Sequence, residues 1–197
     1  MSPVPDQLRM LDHVSDEIHE LWLDRYVWQT LSRIAAESSV AHDSFIVAWV
    51  GEQYYRRAAI AVRAMVDRDP RSDSLINVLI GIEADPAAVP CHISDMRAAG
   101  SVAADPALVR ADIDQLSTTA AQVRSYVNKY LAHIDQSPKL PIPAIAVVDT
   151  AVQVLGDLLK KYTLLLKNAD LRVEPMVLFD WASVFQEPWA PPASPPT

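Results

Sequence analysis

Apolar side chains recur at steps of three and four residues along most of this 197-residue chain. That spacing places them on one face of an α-helix and is typical of helices that pack in a bundle. The clearest run lies within residues 105–135 and the next clearest within 144–168. The stripe of the 105–135 helix consists of Val109, Ile113, Leu116, Ala120, Val123, Val127, Tyr130 and Ile134. We therefore expect these two helices to form a central hairpin.

Helix-start and helix-stop residues divide the rest of the chain. The pattern predicts a long helix over 6–37 and a second over 44–68. We expect the second helix to carry Phe45, Trp49, Ala59, Val62 and Val66 inward. A short helix capped by Ser72 or Ser74 follows. Asp105 and Pro106 together mark the start of the 105–135 helix. Because no segment alternates apolar and polar residues as a strand does, the sequence predicts an all-α antiparallel bundle of about five helices with short extra helices.

The same pattern sets the expected domain limits. The helical bundle covers 5–168, and a packed segment around Met176, Phe179 and Trp181 covers 169–186. Residues 187–197 are rich in proline, which predicts a disordered tail.

Composition narrows the class of function. The net charge of −8 argues against broad electrostatic binding to nucleic acid or to anionic membranes, although it leaves room for a local basic pocket. Only four glycines are present, which disfavours a glycine-rich phosphate loop. The one cysteine, Cys91, allows no internal disulfide, and no apolar run reaches membrane-spanning length. We expect a cytoplasmic protein without a membrane segment, metal or cofactor.

Polar residues gather at the end of the 105–135 helix. Lys129 and His133 are four apart and share a helix face, with Asn128 in the adjacent row. An imidazole beside an ammonium and an amide can bind a phosphate or move a proton. A helix end at which a histidine interacts favourably with the dipole would have the same spacing, so the pattern alone leaves both interpretations open.

The run Asn128-Lys129-Tyr130-Leu131-Ala132-His133-Ile134-Asp135 resembles the motif of HEPN-domain proteins, and most closely that of U-type phage abortive-infection proteins. The segment from Arg63 to Leu75 and the order of helices are similar to the same branch. The resemblance implies a helical bundle that pairs as a homodimer. It also implies a metal-independent ribonuclease in which an arginine and a histidine from both protomers line an RNA cleft.

Mapped on this chain, the family histidine is His133, but the family arginine position holds Val127. Val127 completes the apolar stripe, so we expect it to be buried. On a regular helix, Arg124 lies about 180° from His133 and about 13 Å away along the axis, so it does not replace the missing arginine.

Two hypotheses follow from the resemblance. The first is a phage-defence or toxin-type RNA-cleaving protein, with His133, Lys129 and Asn128 as catalytic residues and Arg63, Arg124 and Asp135 as substrate-binding residues. An antitoxin protein would then be an expected partner. The second is a catalytically degenerate HEPN dimer that binds RNA, a ligand or a protein. A basic pocket would favour the enzyme, and an apolar seam around Val127 would favour the binding module.

Overall fold

The computed structural model describes residues 4–37, 45–86, 105–131, 141–175 and residue 183. This part of the chain is helical and contains no strand, which confirms the all-α bundle. Its α-helices are α1 (Val4–Glu37), α2 (Phe45–Met65), α3 (Leu75–Ala84), α4 (Pro106–Thr119), α5 (Ala121–Tyr126) and α6 (Ile145–Lys167), and a π-helical segment (Val127–Leu131) continues α5.

Two helix starts form as their capping residues predict. The Ser74 hydroxyl accepts a hydrogen bond from the backbone N–H of Asn77 at 3.3 Å, at the start of α3. The Asp105 carboxylate accepts from the N–H of Ala107 at 2.8 Å, with Pro106 at the first position of α4. Each side chain satisfies a donor that the helix itself leaves unpaired.

Helix α1 runs antiparallel to α2, α3 and α6 and contacts all three. Glycines mark its close crossings. A Cβ atom on Gly156 of α6 would lie 2.5 Å from the Trp22 ring, and one on Gly51 of α2 would lie 2.7 Å from the Trp28 ring. Because no other residue lacks a Cβ atom, these glycines let two tryptophans of α1 pack against the neighbouring backbones. The expected hairpin of the 105–135 and 144–168 helices is one part of a bundle in which α2 contacts α1, α5, α6 and the π-helical segment.

The largest buried side chains of the core come from α1, α3, α4 and α6. Each fully buried Leu or Ile contributes roughly 1.5–3 kcal/mol of transfer free energy. The largest almost wholly buried side chains are Leu11, Ile18, Leu21, Leu75, Ile76, Leu79, Ile82, Ile113, Leu116, Leu155, Leu159 and Tyr162.

The expected inward position of Phe45 and Trp49 is wrong. Their residues are 79% and 52% exposed, whereas Gly51 and Tyr54 of the same helix are buried. Tyr54 lies about 180° around the helix from Phe45. The inward face of α2 therefore includes Gly51, against which Trp28 packs, and the bulky side chains of Phe45 and Trp49 point outward.

The predicted single helix over 105–135 is in three pieces. Ala120 separates α4 from α5, but its N–H still donates to Leu116 O at 3.0 Å and its carbonyl accepts from Arg124 N at 2.8 Å. From Val127 the backbone widens to π-helical hydrogen bonding. A π turn holds one residue more than an α turn, so the regular-helix geometry that related Arg124 to His133 does not hold.

Two further expectations lie partly outside the described residues. Beyond α6, Val173 is buried and the carbonyl of Arg172 lies 3.0 Å from His19 Nε2. Residues 176–182 and 184–186 of the predicted packed segment, and the predicted tail 187–197, lie outside the described part.

Candidate functional site

The predicted site residues fall into three groups. Asn128 and Lys129 lie on the π-helical segment, while Arg63 lies in the last turn of α2 and Arg124 on α5. His133 and Asp135 lie outside the described residues. The structure thus gives the geometry of the proposed phosphate contacts but not that of the histidine.

Arg63 and Asn128 meet although 65 positions separate them in the chain. The Arg63 Nε donates to Asn128 Oδ1 at 3.2 Å, and the Arg63 Nη1 donates to Asp67 Oδ2 at 2.7 Å. The pairing of Arg63 with Asp67, four residues on, is the surface ion pair that their spacing predicts. The contact with Asn128 ties the end of α2 to the π-helical segment.

An open groove of about 440 Å³ surrounds this contact. It lies where the end of α2 and the following loop approach α5 and the π-helical segment. Its lining is mostly polar and consists of Arg63, Val66, Asp67, Arg68, Asp69, Arg124, Ser125 and Asn128. Lys129, next to Asn128 in the chain, does not line the groove.

The loop that forms one wall of the groove is held by its own hydrogen bonds. The Ser74 hydroxyl donates to the carbonyl of Asp67 at 2.7 Å. The Asn77 amide donates to the carbonyls of Asp69 and Ser72 at 2.8 and 2.9 Å. These bonds anchor the loop to the buried helix α3, so the backbone that carries the two aspartates is held in place.

Three arginines face two aspartates in the groove. The Arg68 Nη2 donates to the neutral Ser117 hydroxyl at 3.1 Å. Asp69 accepts from Arg71 Nε and Nη2 at 3.0 and 2.7 Å, and these hydrogen bonds hold the pKa of the Asp69 carboxyl below its usual value. Arg124 is exposed and makes no ion pair with any residue in the described part of the chain. The groove therefore has a small excess of positive charge in an acidic protein.

The opposite face of the same segment belongs to the core. Val127 is 4% exposed, as the apolar stripe predicts. Tyr126 lies next to it, with its ring centroid 5.8 Å from that of Tyr55 and 5.7 Å from that of Tyr130. Burial, and then the neighbouring Tyr126, raise the pKa of Tyr55 to about 12. Val127 is thus a packing residue on the side away from the groove.

The other two arginines of α2 are ion-paired, Arg56 within α2 and Arg57 with α1. Arg56 pairs with Glu52 at 2.6 Å, while Arg57 pairs with Glu20 at 2.5 Å and Asp24 at 3.0 Å. A larger cavity of about 520 Å³ lies beside them between α1 and α2. Its floor is formed by apolar residues such as Val14, Ala61 and Met65, so it is less suited to a polyanion than the groove at Asn128.

Sequence reasoning missed Arg68 as a groove residue. The only signal was the charged run Asp67-Arg68-Asp69-Pro70-Arg71, which also fits a solvated loop. The contact of that loop with residues 124–128 depends on the packing of α2 against α5, which no local pattern encodes.

Searches against known protein families, curated proteins and solved structures found no match to this chain. Within the described ranges, no three His, Cys, Asp or Glu side chains lie close enough together to hold a metal ion. None of the helices in those ranges has the length and apolar character needed to cross a membrane.

Proposed function

We propose that this chain is a HEPN-like protein of the phage-defence or toxin type whose polar groove binds the phosphates of RNA. In this proposal, Arg63 and Arg124 contact phosphate oxygens and Asn128 contributes its amide. His133 acts as the acid or base of a metal-independent cleavage, with Lys129 nearby. The protein would act in the cytoplasm as a homodimer, with an antitoxin as a protein partner.

The observation that carries the proposal is the Arg63–Asn128 contact, at 3.2 Å, beside Arg124. Residues from the two motif blocks that resemble the family thus line one groove. A guanidinium presents several N–H donors in a fixed plane and suits phosphate oxygens better than an ammonium does. Three arginines from two chain segments can follow a phosphate backbone over more than one nucleotide.

The overall charge constrains how this binding would work. With a net charge of −8, most of the protein surface repels RNA, so attraction is confined to the groove. For single-stranded nucleic acid, the logarithm of the binding constant falls with the logarithm of salt concentration by about 0.7 for each phosphate neutralised. We expect a slope of about 2 if all three arginines take part.

The burial of Val127 favours a second candidate, a catalytically degenerate HEPN-like binding module. The family pair needs a cation at this position, and the side chain here packs in the core instead. Lys129 lies outside the groove and does not substitute for it. This candidate shares the RNA-binding groove with the first and differs only in whether RNA is cleaved.

The test is an RNA binding and cleavage assay with purified full-length protein, run with and without a chelator. The variant is His133→Ala, and the control is His13→Ala, a histidine on α1 that does not line the groove and whose Nδ1 lies 2.9 Å from Asp73 Oδ2. For the ribonuclease we expect cleavage that resists the chelator and is lost in His133→Ala but not in His13→Ala. RNA binding without cleavage in every sample would support the degenerate module.

Two results would contradict the proposal. If the wild-type protein does not bind RNA at low salt, the groove is not an RNA site. If cleavage survives His133→Ala, that histidine has no part in the reaction. Sedimentation of the same samples measures the homodimer.

A further inference from the structure

Asp67 occupies the place in the groove where an anion would bind. Its Oδ2 accepts from Arg63 Nη1 at 2.7 Å, and its Oδ1 accepts from the backbone N–H of Asp69 at 3.2 Å. The carboxylate thus lies between a guanidinium and a backbone amide, which are both donors that proteins use to bind phosphate. Its two oxygens and its negative charge match two non-bridging oxygens of a phosphate group.

The position of this carboxylate is built in rather than adopted by chance. Asp67 follows the end of α2, and its N–H donates to the carbonyl of Ala64 at 3.1 Å. The Ser74 hydroxyl holds the Asp67 carbonyl from the other side. The backbone is therefore fixed on both sides, and only the side-chain torsions of Asp67 need to change for the carboxylate to leave Arg63.

Asp69 provides a contrast within the same groove. It carries the same charge, but its carboxylate binds Arg71 and makes no hydrogen bond to Arg63. Arg71 does not line the groove. The two aspartates therefore have equal effects on net charge and different effects on the groove arginines.

We propose that Asp67 is an internal substitute for phosphate that competes with RNA for Arg63. The inference rests on the proposed function of the groove and adds to it a residue that sets its affinity. In the free protein, Asp67 neutralises Arg63. When RNA binds, a phosphate takes over Arg63 and the Asp67 carboxylate turns toward water. RNA binding is weaker by the free energy needed to break this ion pair.

The proposal predicts that removing the charge of Asp67 strengthens RNA binding. Asp67→Asn keeps the size of the side chain and an oxygen for the Asp69 N–H. We expect the affinity for a labelled single-stranded RNA 10-mer to rise about 3- to 10-fold near 0.1 M salt, where surface charges are screened over about 10 Å. In wild type, Arg63 gives up Asp67 when it binds a phosphate. In Asp67→Asn, Arg63 has no carboxylate partner, so its contact with the RNA adds one neutralised phosphate, and we expect the salt slope to steepen by about 0.7.

Asp69→Asn is the matched control, since it changes the net charge by the same amount. Its affinity gain should be clearly smaller and its salt slope unchanged. Equal gains in the two variants, or weaker binding in Asp67→Asn while thermal unfolding is unchanged, would overturn the proposal. If Asp67→Asn unfolds, Asp67→Ser is the second variant, with the same expectation.

Arg63→Ala separates this inference from the function on which it rests. Weaker RNA binding in Arg63→Ala together with equal gains in the two aspartate variants would retain the RNA groove and reject the role of Asp67. RNA binding that Arg63→Ala leaves unchanged would reject the groove itself, and the role of Asp67 with it.

Discussion

The two faces of the segment 121–131 differ in how they are held. On one face, Val123 and Val127 are buried against the bundle, with Tyr126 beside them. On the other, Arg124 and Asn128 line the open groove with Arg63. The apolar face is fixed by packing with several helices, whereas the polar face depends on one side-chain hydrogen bond and a set of exposed charges.

This difference indicates where a phosphate-binding cation can be placed on such a helix. Arg124 and Asn128 are four residues apart and both reach the groove, while Val127, between them in sequence, faces the core. In this chain, cations reach the groove from α2 and the loop after it, through Arg63 and Arg68. Tertiary packing thus supplies positive charge to the groove, while the helix itself carries no cation at Val127.

The largest expected effect comes from placing a charge on the core face. Val127→Arg buries a guanidinium without a partner, and an uncompensated buried charge costs about 3–5 kcal/mol. That is a large part of the total stability of a domain, typically about 5–15 kcal/mol. We expect a marked fall in the midpoint of urea unfolding measured by circular dichroism.

Gln122→Arg is the control for this substitution. Gln122 is exposed on α5 and does not line the groove, so its substitution should change stability by less than about 0.5 kcal/mol. If Val127→Arg were as stable as Gln122→Arg, the two faces would not differ as described. The expected instability also means that Val127→Arg is not a clean test of the proposed RNA cleavage.

The parts of the fold that were predictable from sequence are those with local signals. Ser74 and Asp105 cap their helices through hydrogen bonds within three residues. In α1 and α6, the apolar residues at steps of three and four mark the face that is buried. Capping and periodicity act over one or two helical turns, which is the range over which a sequence pattern is informative.

Phe45 and Trp49 show that a large aromatic side chain does not always mark the buried face of a helix. Bulky aromatic residues usually indicate a core face, but the inward face of α2 is set by Gly51, which admits Trp28 of another helix. Which face is buried was therefore decided by a partner 23 residues earlier in the chain. The π-helical turn is similarly hidden, because apolar residues at Val127 and Leu131 fit either helix type.

The candidate site was predictable only in part. Arg63, Arg124 and Asn128 were singled out by resemblance, and the structure places all three in one groove. Arg68 and the carboxylate of Asp67 were not assigned to it. Their position follows from hydrogen bonds of the 67–77 loop that no spacing rule describes.

A smaller effect is expected on the groove face. Arg124→Ala removes an exposed charge and introduces a good helix former, so the free energy of unfolding should stay within about 0.5 kcal/mol of wild type. We expect the affinity for single-stranded RNA to fall about 3- to 10-fold near 0.1 M salt. The salt slope should fall by about 0.7, the amount expected for one lost phosphate contact.

Arg33→Ala is matched to this variant in charge. Arg33 is exposed near the end of α1 and pairs with Glu37 at 3.6 Å. Its loss should leave the salt slope unchanged. An equal loss of affinity in both variants would mean that RNA responds to the net charge of the protein and not to the groove.

The smallest expected effect is on the alkaline stability of the core face. Tyr55 donates to the carbonyl of Pro143 at 2.9 Å and contacts the Tyr126 ring. Burial is the main reason that its pKa is raised to about 12, compared with about 10 for an unfolded tyrosine. The unfolded state therefore loses this proton first as the pH rises. The contribution of Tyr55 is fully present below pH 10 and is lost between about pH 10 and 12.

Tyr55→Phe removes that titration, and also a hydrogen bond worth about 1 kcal/mol at every pH. Each protein is therefore compared with its own stability at pH 8. Burial raises the pKa of Tyr54 and Tyr162 as well, so wild type and variant should both lose stability in alkali. The loss should be shallower in Tyr55→Phe between pH 10 and 12, as measured by urea unfolding at each pH. Parallel curves would mean that the Tyr55 hydroxyl is equally accessible to water in the folded and unfolded protein. The apolar face around Tyr126 would then be less tightly packed than we describe.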